Sequence, residues 1–151
     1  MTVQPMHEQH IDAVADLEQQ CFSAPCSAQG LREYLSMRGQ HFLVALEQDR
    51  VVGYIGLYTV LDEGVITNVA VNPAHRRKGV ATALMVAQMT YCFQSGCTFM
   101  TLEARESNEG ARGLYESLGF EQVGVRPAFY TNPTEAAVLY TKTLKGERTT
   151  C

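Results

Sequence analysis

The chain has 151 residues, of which 46% are hydrophobic and 19% are charged, a composition that is ordinary for a soluble globular protein. For a chain of this length we predict a single domain over residues 1–145 and a polar, disordered tail over residues 146–151. The formal net charge of −4 argues against direct nucleic-acid binding and mildly favours a basic partner.

No apolar run approaches the ~20 residues that cross a bilayer, and the N-terminus lacks the basic and apolar regions of a signal peptide. We therefore expect a cytoplasmic protein without a membrane partner. The five cysteines are odd in number, and no two of them have C-x-x-C spacing. In a reducing cytoplasm this pattern favours free thiols, so we expect no metal site.

The first half of the chain predicts a short strand, two helices and an antiparallel meander of three strands. Ser27 is a suitable N-cap for the second helix, and Gln48-Asp49-Arg50 predicts a tight hairpin turn within the meander. The apolar residues of the first helix follow helical spacing. The expected bounds are strand Thr2–Met6, helices Glu8–Phe22 and Ser27–Met37, and strands His41–Glu47, Val51–Val60 and Val65–Val71.

The second half predicts two more helices and three more strands. Gly96 and Gly119 are placed as C-terminal caps, Ser107 is placed as an N-cap, and Arg126–Thr134 is expected to be a loop. The expected bounds are helices Val80–Phe93 and Ser107–Leu118, and strands Thr98–Glu103, Phe120–Val125 and Ala136–Leu144. Together the elements indicate one α/β (α+β) domain with a largely antiparallel sheet.

The most informative segment runs from Asn68 to Thr82, where an apolar strand is followed by Asn72-Pro73, a basic turn and the start of a helix. Unpaired backbone N–H groups, the positive end of a helix dipole and three cationic side chains meet there, which suits a phosphate. The glycine patterns of dinucleotide-binding folds and of P-loops are absent, whereas residues 76–81 match Q/R-x-x-G-x-G/A. Gly79 would let the backbone approach a pyrophosphate. A solvated basic turn is the alternative.

Several sequence blocks, in this order, resemble the Gcn5-related N-acetyltransferase (GNAT) superfamily over nearly the whole chain, and most closely its ribosomal-protein-alanine N-acetyltransferases. The residues that carry the resemblance are Val60–Glu63, Asn68–Val71, Arg76–Ala81, Leu102–Arg105, Ser107-Asn108 and Leu114–Phe120. It implies a GNAT fold, with a mixed, mostly antiparallel sheet of six to seven strands and helices on both faces. It also implies acetyl-CoA as the donor and, as the acceptor, the N-terminal α-amine of a ribosomal protein or another basic peptide.

For the cofactor, the resemblance implies that the basic turn binds the CoA pyrophosphate and that a backbone amide of the preceding strand polarises the thioester carbonyl. Asn108 would contact the pantetheine arm. Asparagine is also favoured at helix starts, so a capping role for this residue is equally open. The implied cofactor-binding residues are Val69, Ala70, Val71, Arg76, Arg77, Lys78, Gly79, Val80, Ala81, Thr82 and Asn108.

Two residues are candidates for acid–base catalysis. Glu103 ends a predicted strand and could accept the amine proton through water, because an N-terminal amine has a pKa of only ~7.7–8.0. Tyr115 lies in a predicted helix, and a phenol with a pKa of ~10 stays protonated while a thiolate with a pKa of ~8.5 leaves. A solvated glutamate and a core aromatic residue are the alternatives. The resemblance favours Glu103 as general base and Tyr115 as general acid.

Tyr130, Tyr58 and Glu63 are candidates for acceptor binding, although each could equally be a packing or surface residue. Pro25-Cys26-Ser27 departs from the Pro-Trp-Ser of the resembled enzymes, and the chain contains no tryptophan. The loss of a large indole affects the expected acceptor groove rather than the cofactor site. A lysine, a polyamine or another small amine as acceptor therefore stays open, as does a CoA-binding sensor without turnover.

Overall fold

The structure, a computed structural model, describes residues 1–144, so the predicted tail lies outside the described residues. Short 3₁₀ turns occupy Glu8–His10 and Pro73–His75. The strands are β1 (Thr2–Pro5), β2 (Gln40–Glu47), β3 (Arg50–Val60), β4 (Glu63–Val71), β5 (Phe99–Arg105), β6 (Glu121–Tyr130) and β7 (Glu135–Thr143). The α-helices are α1 (Ile11–Cys21), α2 (Ala28–Ser36), α3 (Val80–Gln94) and α4 (Glu109–Ser117). None of the helices within the described range is long and apolar enough to cross a membrane.

The seven strands form one sheet in the order β1-β2-β3-β4-β5-β7-β6. Strand β2 is antiparallel to β1 and to β3, and β7 is antiparallel to β5 and to β6. Strands β4 and β5 run parallel, with Glu63–Val65 in register with residues 99–101. The predicted mixed and mostly antiparallel sheet is confirmed, at the upper end of the expected strand number.

The chain divides into two compact units. The first comprises residues 1–58 and 67–91, and the second comprises residues 59–66 together with the described chain from residue 92 to residue 144. In the first unit, Ile11, Val14 and Leu17 recur at helical spacing on α1 and are buried. They share a core with Met6, Leu31, Phe42, Val44, Tyr54 and Ala70. The predicted N-cap of α2 is confirmed, because Ser27 Oγ accepts a hydrogen bond from Gly30 N at 3.1 Å.

Helix α3 packs on the other face of β2 and β3. A glycine is needed at position 53, since a Cβ atom there would lie 2.9 Å from Val80 Cγ1. The fully buried Gln88 side chain ties α3 to the strands by donating to His41 O at 2.8 Å. Because successive strand side chains point to opposite faces, Gly53 faces away from Tyr54, which packs with α1 and α2. Helices therefore cover both faces of the first unit's strands.

In the second unit, α4 packs on β7 through Tyr115, whose ring meets Tyr140 edge-on at a centroid distance of 6.1 Å. The predicted N-cap of this helix is wrong. Asn108, not Ser107, caps α4, because Asn108 Oδ1 accepts a hydrogen bond from Ala111 N at 3.2 Å. The Ser107 backbone N–H instead donates to Glu135 Oε2 at 2.5 Å.

The predicted loop at Arg126–Thr134 is also wrong over much of its length, because β6 continues to Tyr130. Strand β6 lies at the edge of the sheet and is mostly exposed, so its sequence lacks an alternating apolar pattern. Pro127 is tolerated at such an edge. Ala128 at φ +51° and a register shift between residues 126 and 130 mark a β-bulge.

Candidate active site

The predicted phosphate-binding turn lies between β4 and α3 in the first unit. Asn72 Oδ1 accepts a hydrogen bond from Ala74 N at 2.8 Å and so starts the 3₁₀ turn at Pro73–His75. The chain then passes through two left-handed residues, Arg77 at φ +62° and Gly79 at φ +82°. Left-handed residues in a tight turn let neighbouring N–H groups face the same side, and such a concavity of N–H groups can bind an anion.

The three cationic side chains of this turn have different surroundings. Arg76 folds back onto the protein, where its Nε donates to Val71 O at 3.3 Å and its Nη2 donates to Cys21 Sγ at 3.6 Å. Arg77 and Lys78 are exposed, and within residues 1–144 neither takes part in an ion pair. Arg76 therefore stabilises the turn, while Arg77 and Lys78 are available to a ligand.

The first turn of α3 adds backbone donors. Val80, Ala81 and Thr82 occupy the first helical positions, where N–H groups have no intrahelical acceptor. The Val80 side chain is buried, so its contribution to a ligand site can come only from the backbone. A Cβ atom on Gly79 would meet nothing within 4 Å, so the glycine is required by its backbone conformation rather than by space.

The preceding strand residues also have side chains that serve packing. Ala70 and Val71 are buried and Val69 is half-buried, so any role for them in binding falls to backbone groups. The expectation that an amide of this strand meets the thioester carbonyl stays a prediction, and it concerns the backbone alone.

The pKa of Tyr115 is raised by the surroundings of its side chain. It is only 7% exposed, and burial, followed by the charges of Tyr130 and Tyr140, raises the pKa of Tyr115 to about 12. Its ring packs edge-on against Phe120 at a centroid distance of 6.3 Å. Within residues 1–144 the hydroxyl takes part in no hydrogen bond, so this group is a donor with an open position.

Glu103 and Tyr130 lie in the same part of the second unit. Glu103 Oε1 is 3.5 Å from Arg126 Nη1, and its side chain is 33% exposed. Burial and then the charge of Glu103 raise the pKa of Tyr130, and Arg105 partly offsets this rise. Since the charge of Tyr130 in turn contributes to the raised pKa of Tyr115, the structure brings these three predicted residues into one cluster.

Two arginines of this cluster were not predicted as site residues. Arg105 lies 4.6 Å above the Tyr130 ring and donates to Thr131 O at 2.9 Å and to Pro133 O at 3.0 Å, so it holds the turn after β6. Arg126 pairs with Glu103. Arg105 follows Glu103 by two residues on a strand, so the shared face was visible in the sequence. Arg126 was placed in a predicted loop and carried no such signal.

Asn108 is exposed at the start of α4. Its Oδ1 is engaged as the helix cap, which leaves the amide Nδ2 group as the part that could contact a cofactor. The two interpretations of Asn108 therefore do not exclude each other.

The remaining acceptor candidates have defined neighbours. Tyr58 is half-buried and lines a pocket of about 410 Å³ within the first unit. Glu63 begins β4, and its Oε2 accepts a hydrogen bond from Thr101 Oγ1 at 2.7 Å. Part of the hydrogen-bonding capacity of Glu63 is therefore used within the second unit.

Comparisons with known proteins agree on the family. The model of the Acetyltransferase (GNAT) family matches residues 11–120. The ribosomal protein bS18-alanine N-acetyltransferase of Haemophilus ducreyi is 32% identical over 133 residues, which cover 87% of this chain and 90% of that protein. The enzyme of the same name from Haemophilus influenzae is 31% identical over 121 residues, covering 79% and 80%.

A solved structure agrees as well. The crystal structure of the ribosomal-protein-S18-alanine N-acetyltransferase from Escherichia coli has a TM-score of 0.88 to this chain at 25% identity, over 96% of this chain and 94% of that one. The family match spans well over half of the sequence and includes the basic turn, Glu103 and Tyr115. The resemblance inferred from the sequence is confirmed: the chain belongs to the GNAT family and is an acetyl-CoA-dependent N-acetyltransferase.

Proposed function

We propose that the chain acetylates the N-terminal α-amine of a protein, with the N-terminal alanine of ribosomal protein S18 as the first candidate. Relatives from two Haemophilus species carry this substrate in their names and share 31% and 32% identity with the chain. The net charge of −4 suits a basic peptide as partner. An N-terminal amine, with a pKa of ~7.7–8.0, is partly neutral near pH 7 and so needs only a modest base.

In this proposal the CoA pyrophosphate binds at the turn before α3. Arg77 and Lys78 supply positive charge, and the N–H groups of residues 79–82 supply hydrogen bonds. Arg76 shapes the turn from within, because its guanidinium is engaged with Val71 O. An amide of Val69–Val71 donates to the thioester oxygen as negative charge develops there. One such donor is worth ~3–4 kcal/mol in other acyl-transfer enzymes.

The amine nitrogen attacks the thioester carbonyl carbon, and its proton passes through water to Glu103. Collapse of the tetrahedral intermediate then breaks the C–S bond, and Tyr115 donates to the departing sulfur. The observation that carries this mechanism is the state of Tyr115. Tyr115 as a residue is only 7% exposed, the pKa of its hydroxyl is raised to about 12, and that hydroxyl makes no hydrogen bond within residues 1–144.

The test compares acceptors that differ only in the amine they offer. One peptide series varies the free N-terminal residue, starting with alanine, and a second series has a blocked N-terminus and an internal lysine. Mass spectrometry after incubation with acetyl-CoA identifies the acetylated atom. We expect modification of the free α-amine, with alanine preferred. Acetylation confined to lysine side chains or to a polyamine such as spermidine would reject this acceptor, and acetyl-CoA binding without any transfer would favour a sensor.

A further inference from the structure

A pocket of about 410 Å³ lies within the first unit, beside the loop that joins α1 to α2. Its buried end is formed by Glu18, Tyr54 and Asn68, and its outer part includes Tyr34 and Tyr58. None of these residues except Tyr58 belongs to the cofactor turn, the catalytic cluster or the acceptor candidates described above. A buried carboxylate at the end of an aromatic pocket favours a ligand that has a positive charge and an apolar stem.

Glu18 is only 1% exposed, yet the hydrogen bonds of its carboxylate come from neutral groups. Oε1 accepts from Cys26 N at 2.7 Å, and Oε2 accepts from Asn68 Nδ2 at 2.9 Å and from the Tyr54 hydroxyl. Glu18 takes part in no ion pair within residues 1–144. A carboxylate offers about four acceptor positions, so one position on Oε1 stays open.

The hydrogen-bond donors around Glu18 are fixed. Burial and then the charge of Glu18 raise the pKa of Tyr54 far above its ordinary range, so its hydroxyl remains a neutral donor. Asn68 Nδ2 also lies 3.0 Å from the Tyr54 hydroxyl, which ties the two side chains together. The carboxylate is therefore held in one position at the end of the pocket.

Aromatic rings lead from the surface to this carboxylate. The side chain of Tyr34 is 43% exposed, and its ring centroid lies 6.1 Å from that of Phe42. The ring centroid of Phe42 in turn lies 6.2 Å from that of the fully buried Tyr54. The faces of such rings attract cations. They also provide apolar surface for the alkyl stem of a long charged side chain.

We infer that this pocket binds the side chain of a lysine or arginine, with the cationic head at Glu18 and the alkyl stem along the rings of Tyr34 and Phe42. An anion would be repelled by Glu18. An aliphatic side chain would remove water from a buried carboxylate without replacing it by a donor, which is unfavourable. A cation is the one class of side chain that satisfies both the acid and the aromatic walls.

The inference rests on the proposed function in one respect, which is that the cationic side chain belongs to the acceptor peptide. Strand β4 links the two sites, since Asn68 lines the pocket and Val69–Val71 are the residues proposed to meet the thioester. Three residues of strand span roughly 10 Å. A lysine or arginine bound in the pocket therefore lies within about three residues of the amine that reacts.

The first experiment measures binding without catalysis. Nuclear magnetic resonance titrations of the full chain use N-acetyl-lysine N-methylamide and its uncharged analogue N-acetyl-norleucine N-methylamide, with no acetyl-CoA present. We expect the lysine compound to bind at least tenfold more tightly and to shift resonances of Tyr54 and Asn68. Equal binding of the two compounds would overturn the inference.

Variants then assign the preference to Glu18. Glu18→Gln should reduce the lysine preference to less than threefold, while Asp16→Asn, which removes an exposed carboxylate from the same helix, should keep it. If Glu18→Gln does not fold, Cys26→Trp tests whether lysine binds in this pocket at all, because an indole at this lining position fills the pocket and should abolish lysine binding. A full preference retained in the folded variant would contradict the assignment.

A kinetic experiment connects the pocket to the acceptor. Peptides with an N-terminal alanine carry lysine or norleucine at the second, third or fourth position, and kcat/KM is compared between the wild type and Glu18→Gln. We expect a tenfold advantage for lysine at one position, which the variant loses. Equal kcat/KM for all peptides would remove the pocket from the acceptor site and leave the proposed function intact. If no peptide is acetylated, the proposed function fails, and the binding experiment still decides the pocket.

Discussion

Tyr115 remains protonated over the whole physiological range, because burial, followed by the charges of Tyr130 and Tyr140, raises its pKa to about 12. A free thiol has a pKa of ~8.5, so complete proton transfer from Tyr115 to a thiolate is uphill by roughly 3 to 4 pKa units. This difference favours a hydrogen bond from Tyr115 to the sulfur while the C–S bond breaks, with solvent supplying the final proton. We infer that Tyr115 acts mainly through that hydrogen bond.

The substitution Tyr115→Phe removes the hydroxyl and keeps the ring that packs against Phe120 and Tyr140. We expect kcat to fall about 100-fold, at the lower end of the ~10²–10⁴ range for acid–base groups. Acetyl-CoA affinity should change little, because the lost interaction develops in the transition state. Thiol release gives kcat and calorimetry gives the affinity. Tyr91→Phe, on the exposed side of α3, is the control, and an unaltered kcat in Tyr115→Phe would remove the hydroxyl from the mechanism.

The roles of Glu103 and Arg126 can be distinguished by the effects of their substitutions on kcat. The two side chains are 33% and 54% exposed, and exposed ion pairs of this kind contribute only ~0.2–1 kcal/mol. Arg126→Gln should therefore lower kcat less than about fivefold. Glu103→Gln should lower kcat about 100-fold by removing the base. Steady-state kinetics at saturating acetyl-CoA measure both, and equal losses in the two variants would make the ion pair, rather than the base, the important feature.

At the scale of single elements, the turn before α3 is the part most directly open to test. Arg77→Glu reverses a charge that is exposed and makes no ion pair within residues 1–144. We expect acetyl-CoA to bind at least tenfold more weakly, a loss of ~1.4 kcal/mol or more. Arg50→Glu makes the same charge change at the β2–β3 hairpin and should leave binding unaltered. Isothermal calorimetry measures the affinities, and equal weakening in both variants would indicate a general charge effect without a specific site.

The sequence predicted elements well where one face is buried and the cap is chemically distinctive. Helix α1 and the Ser27 cap of α2 are examples, because both signals are local. The choice between Ser107 and Asn108 as the cap of α4 could not be made locally, since both residue types are good caps. It depends on Glu135, 28 residues away, which accepts the Ser107 N–H. The end of β6 was missed because an exposed edge strand has no alternating pattern.

At the scale of the whole molecule, some functional features were predictable because their residues are close in sequence, and others were not because their residues are far apart. The sequence blocks that include the basic turn, Glu103 and Tyr115 are contiguous, so the family and its acetyltransferase activity were predictable from the sequence. The pocket around Glu18 was not, because its hydrogen bonds join residues 36 and 50 positions apart. On a helix, Glu18 alone is indistinguishable from a solvated acid. Only the fold shows that it is buried and faces aromatic side chains.

The stability of the whole chain should fall at alkaline pH, because burial is the largest cause of a raised pKa in four tyrosines. These are Tyr54, Tyr115, Tyr130 and Tyr140. An unfolded tyrosine loses its proton near pH ~10, whereas folded Tyr115 keeps its proton to about pH 12. The contribution of the protonated Tyr115 side chain to the unfolding free energy is therefore fully present below pH ~10, and it is lost as the pH rises through the pKa of the folded state.

The contribution of Tyr115 can be isolated by difference. A rise of two pKa units corresponds to roughly 3 kcal/mol of unfolding free energy as an upper limit. Urea unfolding of the wild type and of Tyr115→Phe should therefore give a free-energy difference that is constant from pH 7 to 9. Above pH 10 the unfolding free energy of the wild type should fall by about 1–3 kcal/mol relative to that of Tyr115→Phe, since phenylalanine has no proton to lose. Parallel pH profiles up to pH 11.5 would mean that the Tyr115 hydroxyl is as well solvated in the folded chain as in the unfolded chain, and the argument for its role as a persistent donor would lose its basis.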